Sequence, residues 1–151
     1  MKRIGIIVLF SFAILMITGC GQSGEKRALL SVLHSVNNSD SEVYFREFAP
    51  QTNDTQQLSD DCLEAIGTIL AEIGSANITA ASLAWQIRVE REPDYGVYLV
   101  NGVQEVAINQ WDAPDGLLEA RFGNSNKYYG YWQLDSAELS EFMYSYWANR
   151  R

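Results

Sequence analysis

An α+β fold, with two amphipathic helices packed on a mostly antiparallel sheet of about five strands, is predicted by three features of the chain. Two stretches repeat apolar residues at steps of three and four: Leu63, Ile66, Leu70 and Ile73, then Leu139, Phe142, Met143, Tyr146 and Trp147. Several shorter stretches rich in β-branched and aromatic residues alternate apolar with polar, the period of a half-buried strand. Glycine- and asparagine-containing turns join those stretches at short range, as antiparallel neighbours require.

Each element has its own local reason. Leu29, Leu30, Leu33 and Val36 recur at helical spacing, but 28–36 is too short to separate helix from strand; a short helix is the expectation. Asn37-Asn38-Ser39-Asp40-Ser41 is a turn cluster, and Val43, Tyr44, Phe45 and Phe48 favour a strand from Glu42 to Ala49. Pro50 to Gln57 reads as a polar loop. Ser59 is a good N-cap, and Asp60 and Asp61 follow where the positive end of the helix dipole favours them. Gly74 stands where a left-handed helix C-cap is wanted.

The strands follow. Leu83, Trp85, Ile87 and Val89 alternate with Ala84, Gln86, Arg88 and Glu90, and Glu92-Pro93-Asp94 ends that run. Asn101-Gly102 predicts a tight turn between Tyr95–Val100 and Val103–Ile108. That turn pairs residues whose numbers sum to 203 and puts Tyr95, Val97, Leu99, Val106 and Ile108 on one core face. Trp111 to Gly116 is a further turn. Leu117–Phe122 and Tyr128–Gln133 form a second hairpin of open register; a five-residue loop would set Leu118 opposite Trp132, Ala120 opposite Gly130 and Phe122 opposite Tyr128. Asp135 and Glu138 have capping-box spacing for the last helix, with Leu134 and Leu139 as its staple.

The N-terminus carries an address. Lys2 and Arg3 precede an uncharged apolar run from Ile4 to Ile17, and Ile17-Thr18-Gly19-Cys20 closes it. A charged start, an apolar stretch and a small-residue end are the parts of an export signal. The run is shorter than the roughly 20 residues a helix needs to cross a bilayer. Ile17-Thr18-Gly19-Cys20 resembles the lipobox of bacterial lipoproteins, with Ile17 in the usual leucine position. The resemblance implies a leader over 1–19, cleavage before Cys20, two-chain lipid on Cys20, a flexible tether over 20–27 and one globular domain over 28–151. Two acyl chains anchor a protein stably where one holds marginally. The protein would then be membrane-tethered through Cys20 and face outside the cytoplasm.

Removing 19 of 151 residues leaves 132, enough for one domain and too few for two lobes closing on a solute. Lys2 and Arg3 leave with the leader, so nine basic residues face nineteen acidic ones, a net charge of −10. That surplus argues against nucleic acid or anionic lipid as the main partner. With Cys20 lipidated, Cys62 has no disulfide partner and reads as a small core residue.

Signatures of catalysis are sparse. His34 is the one histidine, no His/Cys/Asp group has metal-ligand or triad spacing, and no glycine-rich phosphate loop is present; no cofactor is expected. The acid pairs Asp60–Asp61 and Asp112–Asp115 could serve a small cell-envelope enzyme, the alternative reading. Tyr128, Tyr129, Tyr131, Trp132, Tyr144, Tyr146 and Trp147 crowd the C-terminal third. Strand alternation sets Tyr128 and Trp132 against Tyr129 and Tyr131, which makes Tyr129 and Tyr131 the candidate contacts for an envelope protein or small ligand. Residues Glu42 to Trp147 also resemble small Gram-positive lipoproteins with domains of unknown function. The strand–helix–strands–helix order, Glu92-Pro93-Asp94-Tyr95 before a strand and Trp111 after one carry that likeness, which implies no catalytic residues. A non-catalytic binding domain is the leading expectation.

Overall fold

The computed structural model describes residues 24–37, 41–49, 52–81, 92–111, 116–124 and 126–150. Helix α1 spans residues 24–34 and runs into a 3₁₀ turn, Ser35–Asn37. The strands are β1 (Ser41–Ala49), β2 (Thr52–Gln57), β3 (Ile78–Ala80), β4 (Tyr95–Asn101), β5 (Gln104–Gln110), β6 (Leu117–Asn124) and β7 (Lys127–Asp135). Helix α2 (Asp60–Glu72) lies between β2 and β3, and α3 (Ala137–Ala148) closes the chain. The strands form one sheet in the order β2-β1-β4-β5-β6-β7-β3, every neighbouring pair antiparallel. The α+β class therefore holds, with seven strands among the described residues rather than about five.

One face of the sheet builds the core. Val43, Phe45, Tyr95, Val97, Leu99, Val106, Ile108, Leu118, Ala120, Trp132 and Leu134 point inward and are buried. Leu29, Val32 and Leu33 of α1, Ile66, Ile69 and Leu70 of α2, and Leu139 and Met143 of α3 complete the same cluster. Each fully buried large side chain contributes about 1.5–3 kcal/mol, so this one layer of contacts dominates stability. The aromatic stripe of α3 is part of it: Tyr146 lies 4.7 Å from Phe45 and Trp147 stacks 4.8 Å from Tyr95. Trp147 Nε1 also donates to Glu47 at 3.1 Å, tying the last helix to β1.

Several expectations are corrected. Residues 52–57 are a strand: each of Tyr44 to Ala49 pairs with one of Thr52 to Gln57. Exposed Asp54, Thr55, Gln56 and Gln57 offer no apolar alternation, and only the open edge of β1 supplies the pairing. Residues 24–27 are helical, so they belong to α1 and not to a tether. Gly74 has φ −103, an extended conformation rather than the left-handed one expected of a C-cap. Ser59 has extended dihedrals at the start of α2 but makes no side-chain capping bond.

The hairpin registers also shift. Tyr98 faces Ala107 and Asn101 faces Gln104, so the paired numbers sum to 205 and the loop is Gly102-Val103. Gly102 has φ +60 at the first loop position, the place a type II′ turn gives to glycine. A change of two in the sum preserves parity, so Tyr95, Val97, Leu99, Val106 and Ile108 share the core face as expected. In the second hairpin Leu118 faces Leu134, Ala120 faces Trp132 and Phe122 faces Gly130, after which Gly123 faces Tyr128. That irregularity is a bulge with Tyr129 as the extra residue. The cap of α3 is Ser136, whose side chain accepts from the Leu139 N–H; Asp135 sits one place too early for the expected capping box, and with it the Leu134–Leu139 staple loses its spacing. The expected strand over 83–90, the expected turn residues 112–115 and the expected leader with Cys20 lie outside the described residues.

Candidate functional site

The outer face of the sheet differs from the core face because several of the intervening residues are polar or aromatic. On β1 these are Tyr44 and Arg46; on β4, Tyr98; on β5, Glu105. The bulge adds an unexpected member. Regular alternation would place Tyr128 with Gly130 and Trp132 on the core face, but pairing with Gly123 turns it outward. Its hydroxyl donates to the Tyr98 hydroxyl at 2.6 Å. Gly123 permits this, since a Cβ there would sit 2.3 Å from the Lys127 carbonyl oxygen and 2.6 Å from the Tyr128 Cα.

These side chains enclose a groove of about 580 Å³, in the size range of small-molecule sites. Thr55 closes it on the β2 side, and Asn124, Asn126 and Lys127 of the β6–β7 turn close it on the other. Arg46 is fixed within it: its guanidinium lies over the Tyr98 ring at 4.5 Å and the Phe48 ring at 5.7 Å, while Nε donates to Thr55 Oγ1 at 3.2 Å. Tyr44 is steered by Glu42, to which its hydroxyl donates at 2.5 Å. That bond raises the Tyr44 pKa by stabilising the protonated phenol, with smaller contributions from desolvation and the Glu42 charge. Burial raises the Tyr128 pKa most, followed by its hydrogen bond to Tyr98, so its phenol stays neutral and donating. Asn124 Oδ1 accepts from the Asn126 and Lys127 N–H groups and shapes the turn at the rim.

A second outer-face chain of contacts runs beside the groove. Asn109 Nδ2 donates to Glu119 Oε1 at 3.1 Å, Arg121 Nε pairs with the same oxygen, and the Arg121 guanidinium lies 5.6 Å over the Tyr131 ring. Tyr131 is 51% exposed, in keeping with its assignment to the solvent side. The Tyr129 side chain lies outside the described set.

The remaining sequence candidates are dispersed. Asp60 and Asp61 are in the first turn of α2, with Asp60 and Asp61 exposed. Asp112 and Asp115 lie outside the described residues. His34 Nε2 donates to the Ile73 carbonyl at 2.8 Å, which joins α1 to the end of α2. Cys62 is half-buried and packs against the core. Among the described residues no group of three or more His, Cys, Asp or Glu is placed to hold a metal ion, and no helix is long and apolar enough to cross a membrane.

Sequence reasoning chose Tyr129 and Tyr131 and missed the groove. Tyr44 and Arg46 could have been found from their alternation with Val43 and Phe45. Gly123 inside a strand was the available sign of a bulge, since an interior strand glycine marks either a bulge or a close backbone approach.

No known protein family's sequence profile matches this chain, and no curated protein matches it. The crystal structure of a candidate lipoprotein from Clostridium perfringens is similar in fold, with a TM-score of 0.56 and 9% sequence identity over 84% of this chain and 94% of that one. At that identity the likeness concerns the fold alone.

Proposed function

We propose that this protein is a lipid-anchored, extracytoplasmic binding domain that holds its ligand in the outer-face groove without transforming it. The groove carries the reading: a bulge, a guanidinium over a tyrosine ring and a tyrosine pair are arranged on the side of the sheet that the described helices leave uncovered. Ile17-Thr18-Gly19-Cys20 supports the anchor, and the description of the structurally similar clostridial protein agrees with it. Residues 1–19 would be the leader and Cys20 the lipidated residue. Because residue 24 is already helical, the span from Cys20 to it is at most about 14 Å at the reach of an extended chain. The domain would ride close to the membrane. Tyr131, exposed beside the groove, would add contact area for a larger partner.

Two measurements test this. Mass spectrometry of the native protein should find diacylglyceryl on Cys20 and no leader; a bare thiol or an intact leader refutes the anchor. Native mass spectrometry of protein from its own cells should show a bound small molecule that Tyr128→Ala loses. A ligand retained equally by that variant would place the site elsewhere.

A further inference from the structure

We infer that the groove takes an acidic sugar, its carboxylate seated on the Arg46 guanidinium and its hydroxyls on the surrounding polar side chains. This rests on the binding reading above and names the ligand class for that same site.

Small-molecule sites are usually lined mainly by aliphatic and aromatic side chains with a few polar groups. Among the described residues, each of the nine lining side chains carries a polar atom, and none is aliphatic. Such a lining sets polar atoms among ring faces and side-chain stems, and a purely apolar ligand would leave those donors and acceptors unmatched at a cost in free energy. A ligand with hydroxyls around its whole perimeter can match it. Tyrosine, asparagine, threonine and glutamate together offer both donors and acceptors to such a perimeter, and aromatic rings offer flat surface to the C–H faces of a pyranose.

The anion is specified by Arg46. Of its five N–H donors, only the Nε–H has a protein acceptor among the described residues. Stacking on Tyr98 and Phe48 holds the plane of the guanidinium, so its terminal N–H groups are left as a fork that matches a carboxylate bidentately. Arg46 and Glu105 line the same groove without forming an ion pair with each other, so Arg46 keeps its terminal N–H groups for a ligand while the Glu105 carboxylate can accept from ligand hydroxyls. Lys127 at the rim adds a second cation, on a protein whose formal charge is −8. Tyr128 already donates to Tyr98, which leaves the Tyr98 hydroxyl proton for another acceptor. A carboxylate oxygen or a ring hydroxyl would serve.

The test is saturation-transfer NMR on the full-length protein in detergent, with methyl glucuronoside, methyl glucoside and inorganic phosphate as probes. Methyl glucuronoside should give saturable transfer, and the neutral glucoside, which carries a hydroxymethyl in place of the carboxylate, should bind at least tenfold more weakly. Arg46→Ala should reduce glucuronoside binding about tenfold, and Arg46→Lys should restore it only in part. Thr55→Val, which releases Nε without removing the charge, should weaken binding several-fold and covers the case in which Arg46→Ala does not fold. Equal binding of both sugars, binding indifferent to Arg46→Ala and Thr55→Val, or displacement activity confined to phosphate would each overturn the inference. If neither sugar binds while Tyr128→Ala still removes the native ligand, the ligand class is wrong and the binding groove stands.

Discussion

The Tyr128 hydroxyl donates to the Tyr98 hydroxyl at 2.6 Å, across two strands that do not pair with each other. Tyr98 is on β4 and Tyr128 on β7, with β5 and β6 between them. The contact exists because the Phe122/Gly123 irregularity turns Tyr128 out of the core and toward the groove. Removing the donor with Tyr128→Phe should cost about 0.5–1.5 kcal/mol, the net worth of one such bond, measured by urea unfolding. The raised pKa of Tyr128 gives a second readout. A phenol whose folded pKa exceeds its unfolded value of about 10 contributes fully below that pH and loses its contribution as pH rises beyond it. Wild-type protein should therefore lose stability above pH 10 more steeply than Tyr128→Phe.

Gly123 is the hinge of that arrangement. A Cβ at this position would meet Lys127 and Tyr128 backbone atoms at under 3.0 Å, and backbone cannot step aside as a flexible side chain can. Gly123→Ala should destabilise the protein by about 1–3 kcal/mol, the usual range for forced overpacking. It should also weaken ligand retention. A stable variant with unchanged ligand retention would show that the bulge is not needed to form the groove.

The α3 cap discriminates between two adjacent residues. Ser136 Oγ accepts from the Leu139 N–H at 3.3 Å, so Ser136→Ala should cost about 1 kcal/mol. The exposed Asp135 side chain makes no such bond, and Asp135→Ala should change thermal stability by less than about 0.5 kcal/mol. The reverse ranking would return the cap to Asp135.

A buried polar pair fixes the same helix to the sheet. Gln110 Nε2 donates to Ser140 Oγ at 2.7 Å, both residues fully buried. Ser140→Ala leaves that donor unmatched and should cost about 1–3 kcal/mol. Adding Gln110→Leu removes the stranded Gln110 amide and leaves only the Gly116 N–H, from which Ser140 Oγ also accepts, so the double variant should lose less than the sum of the two single losses. Additive losses would mean the pair is not coupled.

Face assignment was legible in the sequence wherever it depends on alternation within one strand. Val43, Phe45, Val97, Leu99, Val106 and Ile108 are inward for the same local reason that Tyr44, Arg46 and Tyr98 are outward. The two long helices were legible too, because apolar residues at steps of three and four select one stripe. Register was not, since sums of 203 and 205 put the same residues on the same face, and the hydrophobic pattern cannot tell them apart.

What the sequence alone determined is therefore parity: which residues of each strand face the helices, and which stripe of each helix faces the sheet. The tertiary structure decided who pairs with whom. Polar β2 became a strand only because β1 offered it an unpaired edge, and β3 found β7 from far along the chain. The groove arose the same way. Arg46, Tyr98 and Tyr128 come from three separated segments, and a single extra residue at the bulge reversed the side-chain direction that local alternation dictates. Alternation is a property of neighbouring backbone units, whereas pairing and bulges minimise the free energy of strands distant in sequence, so only the folded sheet contains them.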